Sequence, residues 1–236
     1  MPSGPLILLA DGLWFKFEGK PWVLYLAALK SCSSNRAVFL DPLFLPGAEG
    51  ASKWKQVLDA IPAKAEKRIR AIVVDNLRGM QLLANRRGWV LQLCQFHLLL
   101  KLQIFHRGLR YALRGGPVRK EIEHLVRSGI SLPQGPRFTD TMKRLHRLSH
   151  SECGTIRIQA MVREFVECID YYRSCQTYPQ LGLPTTNNAV ESMGRIVREI
   201  FRRNRAGSNP RSLLLWATAF TRLRPKIVCN GKNFNR

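Results

Sequence analysis

Three acidic residues spread along the chain, Asp11, Asp75 and Glu191, could together bind divalent metal ions. Phosphoryl transfer requires stabilisation of negative charge on the attacking and leaving oxygens, and many nucleases and polymerases supply it with two divalent ions. Mg²⁺ (or Mn²⁺) takes only a few carboxylates from the protein, because water and substrate phosphate fill its other positions. Taken alone, each acid is better explained as an ordinary turn or capping residue, so the prediction depends on their combination.

Short apolar runs predict the strands that position the first two acids. Residues 6–10, 22–29 and 37–45 predict an antiparallel meander, and a helix over 52–61 with Ser52 as its cap follows. Residues 69–74 predict a strand that ends at Asp75, and a helix over 77–87 and a strand over 89–93 then complete a parallel crossover. We therefore expect an α/β fold with a mixed sheet and with both aspartates at strand ends, where such folds commonly place chemistry.

The third acid comes after a long helical block. Residues 97–183 are predicted to form an all-helical insertion, which divides a core of 1–96 and 184–210 and leaves 211–236 as a C-terminal helix and tail. Glu191 lies in the first turn of a late helix, after a cap at Asn187 and Asn188, and Gly207 is its predicted stop. The apolar stripe of this helix comprises Ala189, Met193, Ile196, Val197 and Ile200.

The charge of the chain predicts a polyanionic partner. Lys and Arg number 38 against 16 Asp and Glu, a formal net charge of +22, but this excess does not distinguish DNA from RNA, a ribosome or an anionic membrane surface. The 45% hydrophobic and 23% charged content excludes a disordered low-complexity chain. We see no secretory signal and no apolar run long enough to cross a bilayer, and we expect a soluble cytoplasmic protein without a membrane partner.

Four segments, LLADGLW, VVDNLRG, LCQFHLLLKL and TTNNAVESMGRIVRE, resemble in order and separation the catalytic core of Mutator-like transposases and their bacterial insertion-sequence relatives. That resemblance implies a ribonuclease H-like fold, a helical insertion before the last acid, and Asp11, Asp75 and Glu191 as a metal-binding DDE triad. It also implies that Cys94 and His97 form the Cys-x-x-His element of the family. Two such ligands are too few for structural zinc, so we expect them to form a hydrogen-bonded pair that supports the catalytic geometry; the alternative is a buried thiol and a helix-start histidine.

The resemblance also implies a reaction and its partners. Water would nick DNA at the ends of a mobile element, and the freed 3′-OH would attack target DNA, within a homo-oligomer at the prokaryotic nucleoid. Family members usually carry a DNA-binding region before the first catalytic strand, and only ten residues precede Asp11, so we expect an N-terminally truncated copy. The alternatives are a non-catalytic nucleic-acid-binding protein, such as a decayed transposase or an unrelated basic RNA binder, and a ribonuclease H-like nuclease.

Basic residues of the insertion and of the late helix are the predicted DNA contacts, with a merely solvated face as the alternative. They are Lys101, Arg107, Arg110, Arg114, Arg195, Arg198, Arg202 and Arg203, with further candidates at Arg119, Lys120, Lys143, Arg144 and Arg147. Tyr171 and Tyr172 are weak candidates for stacking on a base. For His146, His150 and Cys153 a solvated helix face is favoured over metal binding.

Overall fold

In a computed structural model of the protein, the structure describes residues 2–102, 118–150, 155–203 and 209–229. The chain divides into two compact units. One combines Met1–Cys94 with Cys175–Arg236 and contains the β-sheet, and the other is the helical Gln95–Ser174. The predicted α/β class with a mixed sheet is confirmed.

The longest feature of the sheet unit is a hairpin of two 12-residue strands, β1 (Leu6–Phe17) and β2 (Lys20–Ser31). They pair antiparallel without interruption, from Leu6 opposite Ser31 to Phe17 opposite Lys20. The connecting residues Glu18 and Gly19 both have positive φ, 49° and 77°, as tight two-residue hairpin turns require. The two-residue turn thereby connects the strands without interrupting their pairing.

Five shorter strands complete the sheet. They are β3 (Arg36–Phe39), β4 (Leu43–Pro46), β5 (Ile69–Val74), β6 (Val90–Leu93) and β7 (Lys226–Val228). The order is β6-β5-β1-β2-β3-β7, with β4 paired to β2. The neighbours β1, β5 and β6 run parallel, whereas β2 is antiparallel to β1, β3 and β4. The strand pairing is therefore parallel on one side of β1 and antiparallel on the other.

Helices cover both faces of this sheet. On one face α1 (Ala51–Asp59) places Trp54 against Tyr25 of β2, with ring centroids 4.8 Å apart. The other face of β1 and β2 packs against α10 (Asn188–Arg203), and α11 (Pro210–Leu223) packs on α10 and β4. Further helical segments of this unit are α2 (Ala63–Glu66), α3 (Met80–Arg86) and a 3₁₀ turn at Pro179–Leu181.

The contact between α10 and β1 is unusually close because α10 has a glycine there. A Cβ atom on Gly194 would lie 2.7 Å from Cδ2 and 2.9 Å from Cδ1 of Leu13. Leu13 is only 2% exposed and lies among the buried residues Leu24, Met193 and Val197. The side chain of Leu13 therefore occupies the space that any larger residue at position 194 would need.

The second unit is a succession of helices. These are α4 (Gln95–Leu102), α5 (Val118–Ser131), α6 (Pro136–Leu148), α7 (Ile156–Glu167) and α8 (Ile169–Tyr172), followed by the short α9 (Ser174–Thr177) at the boundary. Neighbours from α4 to α7 pack pairwise in chain order. Throughout the described residues, no helix combines the length and apolar character required to span a bilayer.

Several predicted boundaries are wrong for identifiable reasons. The first strand does not end before Asp11 but continues to Phe17, because Gly12 keeps an ordinary strand conformation and pairs with Tyr25. The strand predicted over 37–45 is two strands, since Pro42 has no N–H to continue a ladder. Ser52 does not cap α1, whose N-cap is Gly50, and α3 begins at Met80 after the left-handed Gly79 instead of at residue 77.

A valine at position 194 tests the close approach of α10 to β1. We expect Gly194→Val to lower the free energy of unfolding by about 1–3 kcal/mol, the usual cost of overpacking a core. Ser192→Val is the matched control, because Ser192 is exposed on the same helix. Urea unfolding of both variants measures the difference, and equal stability would show that Leu13 does not confine position 194.

Candidate functional site

Asp11 lies within β1, and Asp75 directly follows the neighbouring parallel strand β5. The pairing of β1 with β5 ends at Leu9 opposite Val73, so each aspartate comes two residues after the last paired position. Because strand side chains alternate between faces, Asp11 shares the face of Leu9 and Leu13, which is the face covered by α10. Asp11 is buried, at 7% exposure, and Asp75 is half-buried.

Three contacts fix the direction of α10 along β1. At the start of the helix the Asn187 side chain bonds to the Ala10 carbonyl, in its middle Gly194 meets Leu13, and near its end the Phe201 ring packs on Phe15 at 5.2 Å between centroids. The helix therefore runs parallel to β1. Glu191 is half-buried and lies between Asn187 and Gly194, in the part of α10 that these two contacts join to Ala10 and Leu13 of β1. Within the described residues, Asp11, Asp75 and Glu191 do not form a group whose carboxylate oxygens all lie within 4.8 Å of one another.

Asn187 forms hydrogen bonds with all three chain segments that contain the candidate acids. Its Nδ2 donates to the Ala10 carbonyl at 3.0 Å and to Oδ1 of Asp75 at 3.3 Å. Its own carbonyl oxygen accepts the backbone N–H of Glu191 at 3.1 Å. Asn187 directly precedes α10, as the predicted cap position requires, but its Oδ1 is buried and accepts no hydrogen bond from the described residues, so it does not cap the helix through its side chain. Sequence reasoning identified the motif around Asn187 but missed this bridging role.

The residues packed against the opposite face of β1 explain why a glycine, Gly12, follows Asp11. A Cβ on Gly12 would lie 2.5 Å from Oε1 of Glu49. That carboxylate is held by the indole N–H groups of Trp14 and Trp54, at 3.2 and 2.9 Å. Burial, followed by the nearby Glu49 charge, raises the pKa of Tyr25 well above its usual value, so the phenol stays protonated. Glu49, Trp14, Trp54 and Tyr25 therefore pack together on the face of β1 opposite to Asp11.

The two residues of the Cys-x-x-His element, Cys94 and His97, differ in burial and in their neighbours. Cys94 directly follows β6 and is 1% exposed, and its backbone N–H donates to the Val74 carbonyl at 2.9 Å. Its Sγ lies within 4.8 Å of a carboxylate oxygen of Asp75. His97 lies in the first turn of α4, half-buried and with its ring 5.4 Å from that of Phe96. The supporting role of the pair stays a prediction.

A stripe of arginines begins one turn after Glu191. Arg195, Arg198 and Arg202 are spaced by three and four residues, so they share one side of α10, and all are exposed. No carboxylate within the described ranges forms an ion pair with these three, whereas Arg203 pairs with Glu199 at 2.5 Å. We call these three residues the arginine stripe. Unpaired exposed guanidinium groups are available to bind phosphates.

The basic residues of the helical unit fall into two groups. Lys101, Lys120, Lys143 and Arg147 are exposed, and Arg144 is exposed but pairs with Glu121 at 2.7 Å. The prediction that Arg119 contacts DNA is wrong. Arg119 is 7% exposed, and its guanidinium donates twice to the Leu102 carbonyl, so it holds α5 against α4 and does not face a ligand. Burial lowers the pKa of Arg119.

Other candidates in the helical unit have local roles or lie outside the described residues. Tyr172 is 3% exposed and packs on Phe165, so it is not available for base stacking. His150 Nδ1 is 2.8 Å from Ser149 Oγ and 3.0 Å from the His146 carbonyl, which accounts for that nitrogen without a metal. Arg107, Arg110, Arg114, Cys153 and Gly207 lie outside the described residues.

Compared with models of known protein families and with curated proteins, the chain matches none of them. The site is therefore interpreted from its own geometry and chemistry.

Proposed function

We propose that this protein is the catalytic core of a DDE transposase, which cleaves DNA strands and joins the freed 3′-OH ends to target DNA with the help of Mg²⁺ or Mn²⁺. One observation carries the proposal: Asp11 and Asp75 each come two residues after the last paired position of the parallel strands β1 and β5, and Asn187 ties the start of the Glu191 helix to Ala10 and Asp75. The hydrogen bonds of Asn187 thereby join segments that are more than a hundred positions apart in sequence.

The strand arrangement supports a ribonuclease H-like fold. In such a fold an antiparallel meander leads into parallel strands on the far side of the first strand, and here β3-β2-β1 is followed by β5 and β6 in that order. The helix that carries Glu191 covers β1 and β2. The helical unit, Gln95–Ser174, separates the strands from that helix in sequence, as expected of an insertion before the last acid.

The oxygen atoms of the site suit a hard divalent cation. Asp11, Asp75 and Glu191 would hold it, since Mg²⁺ and Mn²⁺ prefer carboxylate oxygens. The buried Oδ1 atoms of Asn187 and Asn188 accept no hydrogen bond within the described part of the chain, and water bound to a cation could supply the missing donors. When bound, such ions stabilise negative charge on the attacking and leaving oxygens.

The protein itself would position the DNA. The arginine stripe extends away from Glu191 along the exposed side of α10, so a phosphate backbone bound there would lead towards the three acids. β1 and the inner side of α10 belong to the buried core, and this packing would hold the acids in place while the DNA strand is cut. Water attacks the scissile phosphorus, and the 3′ oxygen leaves with a proton. That 3′-OH then attacks a phosphorus of the target strand, the bond from this phosphorus to the target's own 3′ oxygen breaks, and the leaving oxygen takes up the proton.

A second candidate function needs the arginine stripe alone. With a net charge of +22 and unpaired arginines on α10, the chain could bind DNA without cutting it, as a decayed transposase would. A ribonuclease H-like nuclease would cut without joining strands. For the transposase we further propose transposon ends and target DNA as partners, held by more than one copy of the chain.

A nicking assay tests the proposed function. We expect the purified protein to nick supercoiled plasmid DNA when Mn²⁺ or Mg²⁺ is added and to leave 3′-OH ends, because the acids and ions act only together. Asp75→Asn should lower the rate by at least 100-fold, in line with the loss of a charge-stabilising group.

The matched control is Asp140→Asn, which changes an exposed aspartate of α6. Equal nicking by wild type and Asp75→Asn, or no metal-dependent nicking at all, contradicts catalysis and favours the DNA-binding alternative. Nicking without joining of labelled 3′-OH ends to a target favours the nuclease.

DNA affinity measured against salt tests the arginine stripe. The triple variant Arg195→Gln, Arg198→Gln, Arg202→Gln should lose roughly three phosphate contacts, which reduces the slope of log K against log [salt] by about 3. The control variant Lys16→Gln, Lys20→Gln, Lys64→Gln removes the same charge from exposed sites on other elements. Equal slopes in the two variants would mean that net charge alone determines binding.

A further inference from the structure

Asn187 is fully buried and donates both of its described side-chain hydrogen bonds to the candidate site. One reaches the carbonyl of Ala10, the residue before Asp11, and the other reaches Oδ1 of Asp75. A single amide therefore connects the backbone at one acid with the side chain of another. Only a side chain with two N–H groups can make this pair of bonds, since both partners are acceptors.

A second asparagine of the same chain precedes a helix but, within the described ranges, does not donate its amide N–H groups to distant residues. Asn209 precedes α11, and its Oδ1 accepts the backbone N–H of Ser212 at 2.9 Å, an ordinary N-cap. Asn187 precedes α10, yet the backbone N–H groups of Val190 and Glu191 bond to its main-chain oxygen, and its Oδ1 is left over. The two asparagines thus use opposite ends of their amides.

Because Asn187 Oδ1 accepts no hydrogen bond from the described residues, the folded state loses free energy that an N-cap hydrogen bond would retain. A buried acceptor without a donor costs about 1–3 kcal/mol, so the unpaired Oδ1 of Asn187 is not explained by stability. Donation to Asp75 occupies one carboxylate oxygen in a fixed direction and thereby limits the rotation of the carboxylate. Groups that hold a metal ligand in this way typically raise metal affinity by 10- to 100-fold.

We propose that Asn187 is a positioning residue for the metal-binding carboxylates: its Nδ2 orients Asp75 relative to Asp11, and its Oδ1 accepts a hydrogen bond from cation-bound water. This inference rests on the proposed function, because it assigns Asn187 to the same metal site. It goes further by naming a residue outside the three acids on which affinity for the cation depends.

Mn²⁺ binding, measured by the loss of the free-ion electron paramagnetic resonance signal, tests the inference without requiring catalysis. Asn187→Leu is close in size but removes both donors, and we expect it to weaken Mn²⁺ binding by about 10- to 100-fold. Asn209→Leu is the matched control; it removes a helix cap, so it should lower the melting temperature in EDTA without changing Mn²⁺ affinity.

The outcomes separate the two proposals. Unchanged Mn²⁺ affinity in a folded Asn187→Leu protein overturns the positioning role and leaves the proposed function standing. If wild type binds no more Mn²⁺ than Asp75→Asn does, the proposed metal site itself fails, and the role of Asn187 fails with it.

The wild-type protein provides a second measurement that does not depend on a variant folding. The side-chain ¹⁵N–H₂ resonances of Asn187 should move during a Mg²⁺ titration, with the same midpoint as the binding curve. Resonances that stay in place at saturating Mg²⁺ overturn the inference, whatever the variants show.

Discussion

The packing of α10 on β1 is the contact on which the rest of the site depends. Only glycine at position 194 lets the helix approach Leu13, and the aromatic contacts of Phe201 with Phe15 and Phe17 hold its other end. This packing sets the position of Glu191 relative to β1, although the two segments are far apart in the chain. Loosening that interface would move Glu191 relative to β1 even if all three acids were retained.

The positive charge of the chain has more than one use. Arg119 and Arg173 are buried, and their guanidinium groups donate to backbone carbonyls inside the helical unit, so they stabilise its packing and are not exposed to a ligand. The arginine stripe has no acidic partner among the described residues. Under the proposed function, the location of the stripe relative to Glu191, and not the total of +22, makes it the surface on which a phosphate backbone would lie.

Sequence patterns predicted the features that depend on local periodicity. The apolar runs that became β1, β2 and β5 were recognisable, and so was the helix around Glu191. Features determined by distant contacts were not. Gly12 next to Asp11 resembles a turn, but its strand pairing with Tyr25 and the Glu49 carboxylate behind it decide otherwise. The burial of Arg119 and the reversed amide of Asn187 depend on partners far away in sequence, which no window of neighbouring residues reveals.

The central claim is that Asp11, Asp75 and Glu191 form one metal centre. Anomalous X-ray scattering from crystals of the protein soaked in Mn²⁺ measures this directly, because the signal locates the ion without reference to activity. The prediction is Mn²⁺ coordinated by carboxylate oxygens of Asp11 and Asp75, with Glu191 bound to the same ion or to a second one about 3.5–4 Å away. Mn²⁺ bound only elsewhere, or no Mn²⁺ peak between these carboxylates at saturating concentration, would contradict it.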